Sequence, residues 1–306
     1  MGKTRLDPSW PWLKDLGLLN AEGKIAKGME RKWRQVEKFL ETFDALLRES
    51  GLLNCVNGPF KNDEIRRETR AAERGVLTER TMSEQRSAER EDHVFQGPDI
   101  SVHDMGSGMG YLTFALYAHL ERVAPGRARV LGVETRPDLV KSCKKAAREN
   151  GMDRLRFEEG SIGEKDFGAM DVLVALHACD TATDDALAAA VKKGAKVILS
   201  VPCCHKQLRP QLKCEGGWGE VMKFGILADR QAEMATDAIR ALLLSAHGYR
   251  TNVAEFISAE HTAKNVLITG VFKGPNPRKA ETLAQVSEVK LRFGIKEQKL
   301  EKLLGE

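Results

Sequence analysis

An α/β fold is what this sequence predicts: a mostly parallel seven-stranded sheet wound with helices, closed by an antiparallel C-terminal hairpin and preceded by an N-terminal helical segment. Three observations predict it. From residue 99 short apolar runs, at 100–104, 129–134, 155–158, 171–176 and 196–201, alternate with amphipathic helical stretches, the signature of strand–helix units in a parallel sheet. Two further runs, 251–258 and 264–272, lie close enough along the chain to pair as a hairpin. A glycine-rich loop, Asp104-Met105-Gly106-Ser107-Gly108-Met109-Gly110, follows the first run directly, where a buried strand turns into a helix.

Elements outside the sheet follow from spacing. Residues 1 to 28 read as a loosely structured arm, with Trp10-Pro11-Trp12 available to dock on the body. Over 29–49, Trp33, Val36, Leu40, Phe43 and Leu47 recur three and four apart, which predicts an amphipathic helix ended at Glu49-Ser50-Gly51. Residues 61–92 interleave arginines with glutamates at helical spacing. Such a stretch suits a solvated helix with weak side-chain pairs, and its carboxylates nearly cancel the field that an RNA-tracking arginine face would need. A long helix is expected at 228–247, and the tail from 279 reads as helical. The organisation expected is therefore an N-terminal helical segment with a charged stretch (1–94), a catalytic domain (95–275) and a C-terminal helical tail (276–306).

With 42% hydrophobic residues among 306, the chain can bury a substantial core, and no apolar run approaches the roughly 20 residues of a membrane span. The N-terminus lacks the apolar centre of a signal peptide. Cys55, Cys143, Cys179, Cys203, Cys204 and Cys214 are unevenly spaced, which suits a reduced, cytoplasmic compartment better than a disulfide framework. A net charge of +4 permits a nucleic-acid partner without demanding one.

The glycine loop can be sorted by its chemistry. Glycines permit a tight turn and let a ligand approach the backbone at a helix N-terminus. The dinucleotide pattern puts its third glycine three residues after the second, where this chain has Tyr111; the third glycine instead comes after two, at Gly110. Asp104 at the strand end would repel a pyrophosphate but would favour an ammonium group. That combination predicts S-adenosylmethionine rather than NAD, bound by Asp104, Gly106, Ser107, Gly108 and Gly110. Glu134, ending the second strand, is placed to accept both ribose hydroxyls. After the third strand, Ser161 and Ile162 are expected at the adenine, Ser161 as a polar acceptor and Ile162 packing on the ring.

Ligands in open parallel sheets bind outside the carboxyl ends of the strands. The fourth end reads His177-Ala178-Cys179-Asp180 and the fifth Pro202-Cys203-Cys204-His205-Lys206. His177, Asp180 and His205 could orient an acceptor and take its proton, with His177 also near the cofactor. Cys203 and Cys204 join them on the acceptor side. A cysteine could instead attack a pyrimidine ring covalently, or the cysteines and histidines could hold zinc. No metal site is expected, because the usual two-residue gap between cysteines is absent. Each cysteine taken singly also suits plain packing, and Thr183-Asp184 suits a helix cap.

The segments DMGSGMGYLTFALY (104–117), HACDTATDDAL (177–187), PCCHK (202–206) and EHTAKN (260–265) resemble one family of class I S-adenosylmethionine-dependent methyltransferases. It is the family that includes the methyltransferase domain of the glutathione S-transferase C-terminal-domain-containing protein and methyltransferase-like ribosomal-RNA-related proteins. The Cys-Asp-Thr-Ala-Thr-Asp and Cys-Cys-His pieces are also similar to eukaryotic tRNA 2′-O-methyltransferases of the acceptor stem. The resemblance spans about 95 to 275, with a weaker similarity at Lys32-Trp33-Arg34-Gln35-Val36. It implies a Rossmann-like class I methyltransferase fold, S-adenosylmethionine as cofactor, and an RNA substrate, tRNA or rRNA, methylated at a ribose hydroxyl or base nitrogen. The chain departs from the family at Met109, where lysine is common, and at Ala263, where proline is common. Other acceptors, a small molecule or a protein, remain open on the residues alone, as does a catalytically silent cofactor-binding role.

Overall fold

The computed structural model describes residues 6–53, 97–163, 166–176, 178–213, 216–257 and 265–306. The charged stretch 61–92, His177 and most of the hairpin turn carrying Glu260 to Lys264 lie outside the described residues.

Seven strands form one sheet: β1 (Ile100–Met105), β2 (Ala128–Glu134), β3 (Leu155–Glu159), β4 (Val172–Leu176), β5 (Val197–Val201), β6 (Tyr249–Glu255) and β7 (Val266–Phe272). Their order is β3-β2-β1-β4-β5-β7-β6. The first five run parallel, and β7 inserts antiparallel between β5 and β6. The expected hairpin is therefore present, and β7 rather than β6 joins it to the parallel strands. The chain winds outward from β1 to one edge and then returns through β4 to the other. The crevice above β1 and β4 is thus the point where a ligand cleft opens.

Two cores flank the sheet, and strand alternation assigns residues to them. Val172 and Val174 of β4, with Val197, Leu199 and Val201 of β5, belong to one core. Leu173, Ala175 and Ile198 belong to the other. Period-two alternation with apolar residues on both faces requires helices on both sides. On the first face lie α1 (Trp12–Asp15), α2 (Glu30–Glu49), α3 (Tyr111–Val123) and α4 (Pro137–Glu149). The second face is covered by α5 (Thr181–Lys192), α7 (Gly225–Ala246), α8 (Lys279–Phe293) and α9 (Lys299–Leu304). A short helix, α6 (Gly217–Met222), precedes α7.

The arm before α2 is a folded part of the body rather than loose chain. Trp12, Leu13 and Leu18 are fully buried, and Leu19 bridges Ile25. The Trp12 ring sits 5.6 Å from Phe114, which in turn stacks at 5.5 Å on Phe157, so the arm reaches an aromatic column rooted in the sheet. Helix α2 buries Trp33, Val36, Leu40, Phe43 and Leu47, the stripe that the spacing predicts, and also Phe39, which lies edge-on to Phe256. This packing lays the first turn of α2 over the mouth of the cleft. No described helix is long and apolar enough to cross a membrane.

Candidate active site

The cleft, of about 470 Å³, opens at the carboxyl ends of β1, β2 and β4. Gly106, Ser107, Gly108 and Met109 form its floor, Glu134 and Arg136 one wall, and Ala178 and Cys179 the other. Gly108 and Gly110 have φ of 56° and 77°, a left-handed backbone that lets the loop fold beneath a ligand. A Cβ at Gly110 would lie 3.0 Å from the Cys143 sulfur and 3.2 Å from the Phe114 ring, so the start of α3 can sit this close to α4 only with glycine there.

Asp104 is buried, and Thr113 Oγ1 donates to its Oδ2 at 2.7 Å. Burial pushes its carboxyl up to about 6, with the Glu134 charge adding to the rise and the Thr113 hydrogen bond opposing it. A carboxylate in that state gains from any cation brought into the cleft. Glu134 is held differently. Burial works against its charge, but donors outweigh burial and hold the carboxyl below its ordinary value. Those donors are Gly108 N–H to Oε2 at 2.9 Å, the N–H groups of Thr135 and Arg136 to Oε1, and the Arg136 guanidinium. The Glu134 carboxylate is thereby aimed before any ligand arrives. Ser107 Oγ, also buried, has no hydrogen-bond partner among the described residues. The residues present thus fit S-adenosylmethionine: an acid for its ammonium, an oriented acid for its ribose, an orphan hydroxyl, and a glycine floor. Of the residues expected at the adenine, Ile162 lines the cleft beside Gly160, while Ser161, half-buried, stands outside the lining.

Lys32 is a residue that the motif reading missed. It reaches the cleft from α2, next to Val36, and lines it together with Asp104 and Tyr111. Burial lowers its pKa. Its amino group donates to Gln35 Oε1 at 3.2 Å. A partly desolvated ammonium near a buried carboxylate complements the two charges of an amino-acid group, and Lys32 could hold the cofactor carboxylate. The one signal in the sequence was the weak similarity at 32–36.

The structure divides the acceptor-side residues. Cys179 lines the cleft, whereas Asp180, Cys203, Cys204 and His205 stand behind it. Asp180 is the one described non-glycine residue in the left-handed region, at φ 48°. It is fixed twice: its carboxylate accepts from Gln207 N–H at 3.2 Å and its carbonyl from Arg240 at 2.9 Å. His205 is buried, with Nε2 3.2 Å from Asp237 Oδ1 on α7. Asp184, expected as a helix cap, instead sits fully buried in an ion pair with Arg240, and Asp180 occupies the cap position. The three cysteine sulfurs converge: Cys179 to Cys203 is 3.8 Å and Cys203 to Cys204 is 3.6 Å. Burial and the neighbouring sulfurs push the Cys203 thiol up to about 12, so it stands protonated near neutral pH.

Residues 80–211 match a family model described as a methyltransferase domain. No curated protein matches the chain significantly. Solved structures similar to it include a putative rRNA-methylase from Clostridium thermocellum, 13% identical, covering 62% of this chain and 96% of that one at a TM-score of 0.38. The YcgJ protein from Bacillus subtilis is 11% identical, with 59% and 95% covered and a TM-score of 0.33. A fibrillarin pre-rRNA processing protein from Methanococcus jannaschii is 13% identical, with 57% and 67% covered and a TM-score of 0.36. Likenesses this distant say nothing of a substrate. The five parallel strands and the acid-flanked glycine loop fall within the residues that the family model matches: the chain carries a Rossmann-like, S-adenosylmethionine-dependent methyltransferase domain.

Proposed function

We propose that this domain methylates RNA, at a ribose hydroxyl or a base nitrogen. The observation that carries the reading is a second groove, of about 860 Å³, running over α4 and the edge strand β3. Lys141, Lys144, Arg148 and Arg156 line it against Asp153, Glu158 and Glu159, and the three α4 cations are exposed. Pro137 and Glu159 in that groove adjoin Arg136 and Gly160 in the cofactor cleft, so the two meet. Exposed cations along α4, beside a groove that meets the cofactor cleft, suit a polyanion whose body lies outside the site while one nucleotide enters it.

S-adenosylmethionine supplies a methyl group activated on a sulfonium. The chain's own work is to hold and align. Asp104 and Lys32 grip the two charges at one end, and Glu134 takes the ribose. Ala178 and Cys179 form the wall against which an acceptor stops, with Asp180 fixed behind them. Positioning of this kind is worth roughly 7–11 kcal/mol of barrier without any covalent step. His205, buried behind the cleft with its Nε2 held by Asp237, backs that wall.

Radiolabelled methyl transfer to fractionated cellular RNA, protein and small molecules, followed by nucleoside analysis, tests the reading. Label is expected in the RNA fraction. Reversing Lys141, Lys144 and Arg148 to glutamate is expected to abolish RNA binding while cofactor affinity stays within about twofold. Label confined to protein or small molecules would overturn the proposal.

A further inference from the structure

The cysteines behind the cleft share one point in space although the chain separates them into two strand-end loops. Cys179 follows β4; Cys203 and Cys204 follow β5. Their sulfurs lie 3.8 and 3.6 Å apart along the two short contacts, and all three fall within 4.8 Å of one another. Three thiolates on a tetrahedral zinc ion, each about 2.3 Å from the metal, stand about 3.8 Å apart. We propose that Cys179, Cys203 and Cys204 form a zinc site with three thiolate ligands, its fourth position held by water.

Adjacent cysteines seldom serve one ion from a regular strand, because successive side chains there point to opposite faces. Here the strand ends at Val201, and the irregular turn after Pro202 lets both sulfurs face the same way. The frame around them is rigid. Asp180, next to Cys179, accepts from the N–H of Gln207, three residues beyond Cys204, and so ties the two loops directly. Arg240 holds the Asp180 carbonyl from below, and Asp237 holds His205. Ligands fixed by such a frame bind a metal without reorganisation. Cys203 and Cys204 are half-buried, while Cys179 is exposed and lines the cofactor cleft, so the ion has an entry path and its open position lies toward the acceptor side.

Thiolate ligands select zinc over the hard divalent cations. Loading is balanced by proton release: the three thiols give up their protons as one Zn²⁺ is bound, leaving a site of net charge −1. The bound ion would lock the β4 and β5 loops together and fix the rim against which an acceptor is placed. The inference does not depend on whether that acceptor is RNA.

The test uses the full chain, stripped of metal with a chelator under reducing conditions and titrated with Co²⁺, then with Zn²⁺ against a chromophoric competitor. One equivalent of Co²⁺ is expected to give the thiolate charge-transfer band and the strong visible bands of tetrahedral cobalt, and one Zn²⁺ to displace it. Cys203→Ser and Cys204→Ser should each weaken binding on the order of 100-fold. Cys143→Ser, which alters a buried thiol on α4 facing Gly108, should leave the stoichiometry unchanged. Absence of thiolate–cobalt bands in the unaltered protein would overturn the proposal, and that measurement needs no variant to fold. So would unchanged zinc affinity in the Cys203→Ser, Cys204→Ser double variant, or loss of two hydrogens in the intact mass showing that the thiols pair as a disulfide instead.

Discussion

Arg240 grips Asp184 with two hydrogen bonds, Nε to Oδ1 at 2.9 Å and Nη2 to Oδ2 at 3.0 Å, and neither side chain reaches solvent. The same guanidinium reaches Asp237 Oδ1 at 3.4 Å and the Asp180 carbonyl, while Gln298 from α9 donates to Asp184. One arginine of α7 thus connects the first turn of α5, the loop beside the cleft and, through Asp237, His205. Breaking a buried pair by removing one partner strands a charge and costs roughly 3–5 kcal/mol. Arg240→Ala is therefore expected to melt roughly 10 °C lower by calorimetry. A melting point within 2–3 °C of the original would show that the network contributes little.

Asp104 should make stability depend on pH in a definite sense. Burial lifts its carboxyl from 3.8 to about 6, so the folded chain keeps a proton that the unfolded chain has already lost between those values. Stability is greatest below the lower value and falls as pH climbs through about 6. Asp104→Asn removes the buried charge, so the variant should melt several degrees higher than the parent at about pH 8 and at the same temperature at about pH 4. It should also lose cofactor affinity by at least roughly tenfold, because the ammonium loses its partner. A melting difference that does not change with pH would contradict this account.

Glu134 is expected to dominate the ribose contact. Charge-assisted hydrogen bonds contribute roughly 1.5–3 kcal/mol, so Glu134→Ala should weaken S-adenosylhomocysteine binding by roughly 10–100-fold in calorimetry. Arg136, whose guanidinium lies on the same carboxylate but is largely exposed, should matter far less when changed to alanine. Equal losses from the two variants would mean that Glu134 acts only through its ion pair.

Lys32 should be felt only by ligands that carry a carboxylate. Lys32→Met is expected to weaken S-adenosylhomocysteine about 5–10-fold and to leave methylthioadenosine, which lacks the amino-acid group, unchanged; Lys32→Arg should recover most of the loss. An equal loss for both ligands would place Lys32 outside the carboxylate contact and leave it a packing role.

Much of this protein is legible in local pattern. Strand positions, the turn chemistry at Gly106 to Gly110 and the acids at Asp104 and Glu134 depend on residues close together in the chain, and period-two apolar runs declare a two-sided sheet without further information. The α2 stripe was equally plain, because helical spacing is also local. The sequence could not say what that stripe covers: it packs against α3 and Phe256, and the packing carries Lys32 to the cleft. Asp184 read as a helix cap and nothing in the spacing singled out Arg240, since burial is settled by neighbours from other elements. Nothing in the spacing of Cys179, Cys203 and Cys204 announced that their sulfurs converge. Local sequence determined the sheet, the glycine loop and the cofactor. Tertiary structure alone decided which distant side chains share a cavity, an ion pair or a cluster of three sulfurs, because those contacts are set by how elements pack and leave no trace in spacing along the chain.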